Sequence, residues 1–305
     1  MRTFVDSLNA VTQHPTRRFS KVEGVGNDFI LVDLRDEAPH ELDRAVRRLE
    51  HNAPTWCDRR TGIGADGLLL LTQHREAHGR MIVFNADGSR PEMCGNGLRC
   101  AAAHVAGVWN TAGSGEVSKE VSIFTDAGPR TCIVSAKDEP PHVILVDVDM
   151  AGAILGAVVE ARAAPGRRLQ LVSMGNPHAV HFLAQGEDPE MLARSLGPKV
   201  EIDALFPSGV NVEFARYEGN DLFTVWVWER SCGITQACGT GACAVAAAAV
   251  ANDHALRERP LTIRLPGGDL HVTIPKDAGE GVRMRGPARL VFEGEAPLDR
   301  RWGEV

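Results

Sequence analysis

Two copies of one sequence unit lie in this chain, and that duplication constrains its fold more than any other feature. Residues 93–97 read Met-Cys-Gly-Asn-Gly and residues 237–241 read Ala-Cys-Gly-Thr-Gly, 144 positions later, and each segment opens an alanine-rich run. A repeat with so long a period indicates two copies of one structural unit. If the two units pack about a pseudo-twofold axis, Cys94 and Cys238 face each other across one shared cleft.

The repeat extends on both sides of these cysteine loops. Downstream, residues 121–134 match residues 261–274 at a shift of 140. Upstream, Gly-Asn-Asp-Phe at 26–29 corresponds to Gly-Asn-Pro-His at 175–178. A chain of 305 residues is long enough for two domains, each with its own core. We therefore expect two similar domains related by a pseudo-twofold axis.

A buried helix is expected at the centre of each domain. Residues 241–251 are small and apolar around the whole helical circumference, and residues 100–106 repeat this pattern more weakly. A helix without a polar face is buried on all sides, and small side chains let strands approach it closely. The predicted class is therefore α/β (α+β), with a mostly antiparallel sheet wrapped around a central helix in each domain.

The apolar patterning and the turn residues predict the order of elements. Helices are expected at 39–50, 95–109, 189–196 and from the second cysteine loop to about 252. Strands are expected at 29–33, 67–72, 81–84, 121–125, 131–136, 142–148, 169–173, 210–215, 222–229, 261–265, 269–274 and 288–292. The last strand has no partner in the second unit, so we expect it to return to the first.

The predicted domain boundaries follow from this order. They are an N-terminal extension at 1–18, a first domain at 19–143 with a returning segment at 288–305, and a second domain at 144–287. The extension lacks the apolar segment of a signal peptide, and we expect it to be poorly ordered.

Composition narrows the functional class. The net charge of −7 and the pI near 5.9 argue against a nucleic-acid or anionic-membrane partner, and no apolar run is long enough to span a bilayer. The seven cysteines are odd in number and include no Cys-x-x-Cys pair, which favours free thiols in a reducing cytoplasm. Neither a structural zinc ion nor any other metal is expected.

Two of the cysteines differ from the rest in their setting. Cys94 and Cys238 each stand where a helix begins, and unpaired backbone N–H groups there favour a thiolate. Each is followed by Gly-x-Gly, which brings backbone N–H groups close to an anionic ligand. One thiolate that removes an α-proton and one thiol that returns a proton to the opposite face would invert a carbon centre without a cofactor. The remaining cysteines are expected in the core or as incidental thiols: Cys57, Cys100, Cys132, Cys232 and Cys243.

A second correspondence adds polar residues to this site. Asn85 stands nine residues before the first cysteine, and Glu229 stands nine before the second, followed by Arg230. Arg230 offers a bidentate grip on a carboxylate, and the alternative is an ion pair with Glu229. On their own, the asparagines at 27, 176 and 211 are better explained as turn residues, and His178 as a structural hydrogen-bonding group.

Seven segments together resemble the diaminopimelate epimerase family. They lie at 21–29, 61–67, 84–97, 173–178, 209–214, 228–230 and 236–243, and they extend the likeness over about 19–293. The resemblance implies a cofactor-independent epimerase that converts LL-2,6-diaminopimelate to the meso form for lysine and peptidoglycan synthesis. It also implies a homodimer with a small-molecule substrate.

The resemblance also implies roles for individual residues. Cys94 and Cys238 would be the acid–base pair, and His178 and Glu229 would support the reacting centre. The substrate-binding residues implied are Asn27, Asn85, Gly95, Asn96, Asn176, Asn211, Glu229, Arg230, Gly239 and Thr240.

This sequence departs from the family pattern at several positions. Family members commonly read Glu-Arg-Gly-Ala-Gly-Glu-Thr where residues 229–235 read Glu-Arg-Ser-Cys-Gly-Ile-Thr. An acidic residue is therefore absent at Ile234, and an extra thiol is present at Cys232. Gly67 replaces a glutamine that contacts substrate in some members, and Phe292 stands where some members use a tyrosine at the dimer contact.

Two alternatives remain open from the sequence. A sister racemase or epimerase of the same fold, acting on proline, hydroxyproline or histidine, would share the paired cysteines. Phenazine-pathway relatives share the fold without that pair, so Cys94 and Cys238 argue against them. A non-enzymatic ligand binder or a thiol redox sensor would use the two thiols without turnover.

Overall fold

One continuous sheet of sixteen strands joins the residues that the computed structural model describes, which are 16–109, 117–136, 143–277 and 279–298. Four helices lie among these residues: α1 (Pro39–Cys57), α2 (Gly95–Val105), α3 (Pro189–Glu201) and α4 (Gly239–Ala251). None of the helices in this part of the chain combines the length and the apolar character needed to cross a lipid bilayer.

The first half of the sheet closes on itself around α2. Its strands are β1 (Thr16–Gly24), β2 (Asn27–Asp33), β3 (Gly67–Thr72), β4 (Gly79–Asn85), β5 (Val117–Thr125), β6 (Gly128–Ala136) and β7 (Val143–Asp149). Neighbours in this series pair in order, and the last strand of the chain, β16 (Arg283–Pro297), pairs with both β7 and β1. The eight strands therefore form a closed ring.

The second half repeats this order of strands around α4, as an open series in which β8 pairs only with β9 among the described strands. Its strands are β8 (Ile154–Glu160), β9 (Arg168–Ser173), β10 (Pro177–Phe182), β11 (Asn211–Gly219), β12 (Leu222–Glu229), β13 (Gly233–Ile234), β14 (Leu261–Leu265) and β15 (Gly268–Thr273). The order is β8-β9-β10-β11-β12-β14-β15-β16, with β13 added beside β12. Because β16 pairs with β15 and also with β7, it is the strand that joins the two halves in one sheet.

The parallel pairs show how the helices are placed. Only four pairs are parallel among the described strands: β2–β3 and β4–β5 in the first half, and β10–β11 and β12–β14 in the second. A parallel pair needs a crossover connection, and each of these contains one helix. In each half the first crossover helix, α1 or α3, covers the outside of the sheet, and the second, α2 or α4, fills its interior. The predicted fold class is confirmed.

The interior helices are buried because their side chains are small. In α4 the residues from 242 to 249 are at most 4% exposed, and Gly241 is also buried. In α2 the residues from 95 to 103 are likewise buried. A larger side chain at such a position has no free volume to occupy, because protein interiors are close-packed.

Some elements begin or end at residues other than those expected from the sequence. β1 begins at Thr16, so residues 16–18 belong to a strand and not to the expected extension, while 1–15 and 299–305 lie outside the described residues. Helix α2 ends at Val105 and not at 109, because Gly107 takes a left-handed conformation (φ 65°) that ends a helix. α1 continues to Cys57 because Trp56 packs into the core.

The sequence did not predict four of the strands, and it predicted the last strand as too short. β1, β8, β10 and β13 were not expected, and β16 is three times longer than the predicted 288–292. The predicted domain boundaries stay a prediction. In the structure β7 and β16 pair with each other and join both halves in one sheet.

We predict that Ala246→Leu destabilises the protein by about 1–3 kcal/mol, because overpacking a filled interior forces strain on its neighbours. Ala246 is 0% exposed at the middle of α4. Denaturant unfolding measures the change. The matched control is Ala251→Leu at the exposed end of the same helix, which should alter the free energy of unfolding little. Equal effects of the two substitutions would contradict the interior position of α4.

Candidate active site

Cys94 and Cys238 occupy the same position in the two halves, as the N-cap residues of α2 and α4. Both have extended backbones, with φ of −135° and −117°. Each sulfur accepts a hydrogen bond from the backbone N–H three residues ahead, at 3.5 Å from Gly97 and 3.4 Å from Gly241. An N-cap acceptor satisfies a helix N–H group that has no partner within the helix, and the same N–H groups favour a thiolate.

The N-termini of α2 and α4 lie against each other. A Cβ atom added to Gly239 would lie 3.7 Å from the Cα atom of Gly95 and 3.3 Å from the sulfur of Met284. The Asn96 side chain crosses between the halves and donates to the carbonyl of Ala237 at 3.0 Å. Both cysteine loops therefore belong to one site, and glycine at 95 and 239 is what permits the approach.

Asparagines surround the first cysteine. Asn27 Oδ1 lies 3.9 Å from Cys94 Sγ and accepts a hydrogen bond from Asn96 Nδ2 at 3.2 Å. Asn27 is fixed in turn, because its Nδ2 donates to Asp66 Oδ2 at 2.7 Å. These contacts make Asn27 part of the site and not only a turn residue.

A network of four charged residues holds Asn27 in place. Arg59 donates to Asp28 at 2.6 Å and to Asp66 at 2.7 Å, and the buried Lys21 ammonium donates to Asp28. Burial raises the pKa of Asp28, but the hydrogen bonds from Arg59 and Lys21 outweigh it and hold that pKa below its ordinary value. Sequence analysis missed this network, although all four residues lie within or beside the segments that carry the family resemblance.

Around the second cysteine the polar residues form a chain of hydrogen bonds. Cys238 Sγ lies 3.6 Å from Thr240 Oγ1, which accepts from Asn176 Nδ2 at 3.3 Å. Asn176 Oδ1 lies 3.0 Å from His178 Nε2, and His178 Nδ1 lies 2.6 Å from Glu213 Oε1. The predicted residues Thr240, Asn176 and His178 are therefore brought together behind one sulfur.

Glu213 is a buried acid at the end of this series of hydrogen bonds, and the sequence did not predict it as a site residue. Its side chain and that of His178 are both 0% exposed, and its second oxygen, Oε2, is buried without a hydrogen-bond partner in the described part of the chain. A Cβ on Gly241 would lie 3.0 Å from Glu213 Oε1 and 3.2 Å from Cys238 Sγ, so the glycine lets the acid approach the sulfur. In the sequence, the only indication of a role for Glu213 was its place within the segment 209–214, which contributes to the family resemblance.

Burial raises the pKa of both thiols, and the pKa of Cys238 lies well above its ordinary value. Backbone N–H groups of Gly97 and Gly241 act in the opposite direction, because they stabilise the charged sulfur. The negative charge of Glu229 raises the pKa of both cysteines. One carboxylate that acts on both sulfurs is further evidence that they share a site.

Asn211, Arg230 and Asn85 make hydrogen bonds with neighbouring residues, and none of those in the described part of the chain reaches either sulfur. Asn211 accepts from the backbone N–H of Arg230 and donates to the carbonyl of Pro177, each at 2.9 Å. The exposed Arg230 guanidinium contacts the carbonyl of Ser208 at 3.3 Å and makes no ion pair among the described residues, so it is available to a carboxylate. Asn85 is bonded to Ser89 at 2.9 Å, at the end of β4.

The positions that depart from the family pattern have local explanations. A Cβ at Gly67 would lie 2.7 Å from the carbonyl oxygen of Phe84, so this backbone does not accommodate a longer side chain. Ile234 pairs with Trp228 in the sheet and packs against the apolar cluster that contains Val210 and Phe214. Cys232 is exposed, and Glu229 lies near enough to raise its pKa after the larger effect of burial.

No three His, Cys, Asp or Glu side chains within 16–109, 117–136, 143–277 and 279–298 are grouped so that they could hold a metal ion. The groups that face the two sulfurs are instead the amide oxygen of Asn27, the hydroxyl of Thr240 and two backbone N–H groups. Backbone N–H groups at helix N-termini suit an organic anion.

The two-domain fold of this chain is shared with solved racemases and isomerases. A probable proline racemase from Agrobacterium radiobacter superposes with a TM-score of 0.67 at 16% identity, covering 94% of each chain. A methylitaconate-delta-isomerase superposes with a TM-score of 0.64 at 15% identity, covering 96% of this chain and all of the other. At such identities the likeness concerns the fold alone.

Sequence comparison identifies the family within that class. The diaminopimelate epimerase family model matches residues 19–155 and 170–291. The chain is 40% identical to the diaminopimelate epimerase of Desulforudis audaxviator, covering 91% of this chain and 98% of the relative. It is 38% identical to that of Moorella thermoacetica, covering 92% and 99%. The chain belongs to the diaminopimelate epimerase family, and the predicted resemblance is confirmed.

We predict that Lys21→Met destabilises the protein by about 1–3 kcal/mol at neutral pH, because Asp28 loses a buried hydrogen-bond donor. A carboxyl with a lowered folded-state pKa contributes stability above its unfolded pKa and loses it as the pH falls. The variant should therefore lose less stability than the unaltered protein between about pH 5 and pH 3. Urea unfolding across this range tests it. Lys199→Met, at an exposed helix position, is the control, and an identical acid slope in all three proteins would contradict the role of Lys21.

Proposed function

We propose that this protein is a cofactor-independent epimerase that converts LL-2,6-diaminopimelate to meso-2,6-diaminopimelate, in the supply of lysine and peptidoglycan precursors. The observation that carries the proposal is the pair of N-capping thiols on two helices whose first residues, Gly95 and Gly239, touch. Membership of the family supports the substrate.

The reacting carboxylate binds where the two helices begin. Backbone N–H groups of Gly95, Asn96, Gly239 and Thr240 surround the contact between the helices, and both helix dipoles favour an anion there. An α-amino acid held in this way has its α-carbon between the two sulfurs. Fixed donors at the carboxylate also stabilise the negative charge that develops when the α-proton leaves.

Inversion then needs one thiolate and one thiol. The thiolate takes the α-proton and forms an S–H bond, and the electron pair of the broken C–H bond is delocalised into the carboxylate. The thiol on the opposite face gives its proton to the carbon, and the pair ends with its protonation reversed. Glu229 and His178 support this centre, the first by its charge near both sulfurs and the second by fixing Asn176.

The distal end of the substrate requires its own polar partners. Diaminopimelate carries a second amino-acid group, and charged groups taken out of water need paired partners. Arg230 offers a guanidinium that is not engaged in an ion pair, and further donors and acceptors come from the side chains of Asn27, Asn85, Asn176 and Asn211.

A sister activity on a single-ended amino acid such as proline, hydroxyproline or histidine is the second candidate. The shared fold with a hydroxyproline epimerase from Agrobacterium vitis (TM-score 0.67, 17% identity) favours it. Turnover assays on LL-diaminopimelate and on each single amino acid separate the two. Turnover of proline without turnover of diaminopimelate would reject the proposed substrate, and a redox sensor would turn over none of them.

We predict that Cys94→Ser and Cys238→Ser each lower the rate of epimerisation by about 10²–10⁴-fold, because each removes one positioned acid–base group. The control is Cys232→Ser, which alters an exposed thiol and should leave the rate near that of the unaltered protein. Circular dichroism checks that all three variants fold.

Turnover in deuterated water tests the same scheme in another way. Because one sulfur takes the proton from the carbon and the other delivers a proton that has exchanged with the solvent, solvent deuterium should appear at the inverted carbon. Retention of the original hydrogen in the product would contradict the two-base mechanism.

A cytoplasmic homodimer is the proposed state of the protein. Seven cysteines, all free in the structure, suit a reducing compartment. For the dimer, β16 presents the apolar side chains of Val291 and Phe292 to solvent, with 55% and 47% of their surface exposed. Phe292 is held there by an edge-to-face contact with Phe19.

We predict that Phe292→Asp shifts the protein from dimer to monomer, because it places a charge in an apolar contact. Sedimentation analysis at micromolar concentration measures the change. Leu256→Asp, at an exposed apolar position (63% exposed) on another part of the surface, should leave the dimer intact. A protein that sediments as a monomer before any substitution would overturn the assignment.

A further inference from the structure

A buried acid in the second half stands where the first half has a leucine. Glu213 in β11 and Leu69 in β3 precede their helix glycines, Gly241 and Gly97, by the same number of residues. Each also lies against its glycine: a Cβ on Gly97 would lie 2.9 Å from Leu69 Cδ2, and a Cβ on Gly241 would lie 3.0 Å from Glu213 Oε1. The two side chains therefore occupy equivalent places beside the two interior helices.

The partner of this acid differs between the halves in the same way. His178 is the last residue of the segment 175–178, which corresponds to 26–29, so its equivalent is Phe29. Phe29 and Leu69 are both buried in one apolar cluster, whereas His178 and Glu213 bond to each other. The duplication thus has an apolar pair in one half and a polar pair in the other.

Packing alone does not explain the polar pair. Both side chains are completely buried, and Glu213 Oε2 has no hydrogen-bond partner among the described residues. Replacement of buried polar pairs by apolar groups of similar volume is often neutral or stabilising, and the first half already shows an apolar pair in this place. The reason for the polar pair therefore lies in the site beside it.

The surroundings of Glu213 and His178 favour a pair that is neutral as a whole. A carboxylate beside a neutral imidazole would leave a negative charge out of water with one oxygen unbonded, which is costly. Burial and the charge of Glu229 on β12 also raise the pKa of Glu213, although its contact with His178 acts in the opposite direction. One further proton makes the pair neutral, as acid and imidazole or as carboxylate and imidazolium.

In both neutral forms Nε2 of His178 carries a hydrogen. The acid would donate its proton to Nδ1 and so leave the imidazole hydrogen on Nε2, and an imidazolium carries a hydrogen on both nitrogens. The charged carboxylate with a neutral imidazole is the remaining case, in which Nδ1 donates to Glu213 and Nε2 has only a lone pair.

A hydrogen on Nε2 sets the direction of the hydrogen bonds that lead to the sulfur. It is donated to Asn176 Oδ1 at 3.0 Å, which turns Nδ2 of the same amide toward Thr240 Oγ1 at 3.3 Å. The Thr240 hydroxyl accepts that bond, so its own hydrogen is free to point at Cys238 Sγ, 3.6 Å away. A lone pair on Nε2 would turn the amide round and direct the hydroxyl hydrogen to Asn176 instead.

We propose that Glu213 is a positioning residue: the proton that it shares with His178 directs this series of hydrogen bonds toward Cys238. When the sulfur is a thiolate, the Thr240 hydroxyl donates to it. The proposal rests on the proposed function and deepens it. The pair gives no proton to the substrate and keeps its own through the cycle.

A neutral pair also explains how an acid lies so close to a catalytic sulfur. Glu213 Oε1 and Cys238 Sγ would lie 3.0 Å and 3.2 Å from the same added Cβ on Gly241. The sulfur is negative during part of the cycle, and a carboxylate in this place would disfavour that state. With the shared proton, the acid supplies a hydrogen-bond direction without adding a charge.

The first test is nuclear magnetic resonance of the intact protein labelled with ¹⁵N-histidine. The His178 signals are those absent from the His178→Phe variant. We expect a hydrogen on Nε2 at neutral pH, and the same in Glu213→Gln, because the glutamine amide donates to Nδ1 in place of the acid. In Glu213→Leu the imidazole loses its anchor, and the Nε2 hydrogen should exchange rapidly with solvent. An unaltered protein with a hydrogen on Nδ1 alone would overturn the proposal.

The second test is steady-state kinetics of the same variants. Glu213→Leu should lower kcat by about 10–100-fold, the effect of one hydrogen bond to a charged group. KM should change less, since the backbone donors to the substrate carboxylate stay in place. Glu213→Gln should retain most of kcat. Thr240→Val, which removes the last donor, should lower kcat without adding to the effect of Glu213→Leu, because both act through one series of bonds.

The third test separates positioning from stability. The double variant His178→Phe with Glu213→Leu copies the pair of the first half, so its urea midpoint should equal or exceed that of the unaltered protein while kcat falls. The control is His181→Phe, a buried histidine on the same strand that bonds to Arg167 and to a backbone carbonyl. It should leave kcat unchanged.

Full kcat in a folded Glu213→Leu protein would overturn the proposal, and so would a Glu213→Gln protein as slow as Glu213→Leu. If the leucine variants do not fold, Glu213→Gln and the spectrum of the unaltered protein carry the test. The spectrum is independent of turnover: a hydrogen on Nε2 in a protein that does not act on diaminopimelate would reject the proposed function alone. Inactive cysteine variants together with full kcat in Glu213→Leu would reject the role of Glu213 alone.

Discussion

The contact between the first residues of α2 and α4 is the constraint on which the rest of the structure depends. Two helix N-termini repel each other through their dipoles, so they meet only where an anion or a sulfur offsets the repulsion. Gly95 and Gly239 have no side chain to separate them, and Met284 fills the space beside both. Each helix start is capped by its own cysteine sulfur. The same contact that needs negative charge therefore creates the place where a substrate carboxylate binds.

The sheet fixes this contact in space. Each interior helix is a crossover between strands of its own half, and β16 belongs to both halves because it pairs with β15 on one side and with β7 on the other. Because the helices are buried along their length, neither slides along its axis without losing contacts on every side. Small side chains are thus a requirement of the site as well as of the core, since they allow the sheet to close around a helix whose end must reach the other half.

The duplicated pattern made the central features predictable from sequence. Cysteine followed by Gly-x-Gly before an alanine-rich run indicated two N-capped buried helices, and both were found. Local patterning did not reveal β8, whose residues Ile154 and Leu155 are largely exposed and which pairs on one edge only. Nor did it reveal the partners of Asn27 and His178, because Asp66 and Glu213 are distant in sequence. Contacts of that kind depend on the register of strands, and single-sequence patterns do not specify register.

Duplication and divergence have separate consequences in this molecule. The conserved parts of the repeat give geometry: two caps, two glycines and two helices in matched positions. The divergent parts differ in charge, because buried Arg99 donates to Asn96 beside the first cysteine and buried Glu213 lies against His178 behind the second. The two sulfurs therefore share one backbone geometry, while the ionisable groups behind them differ.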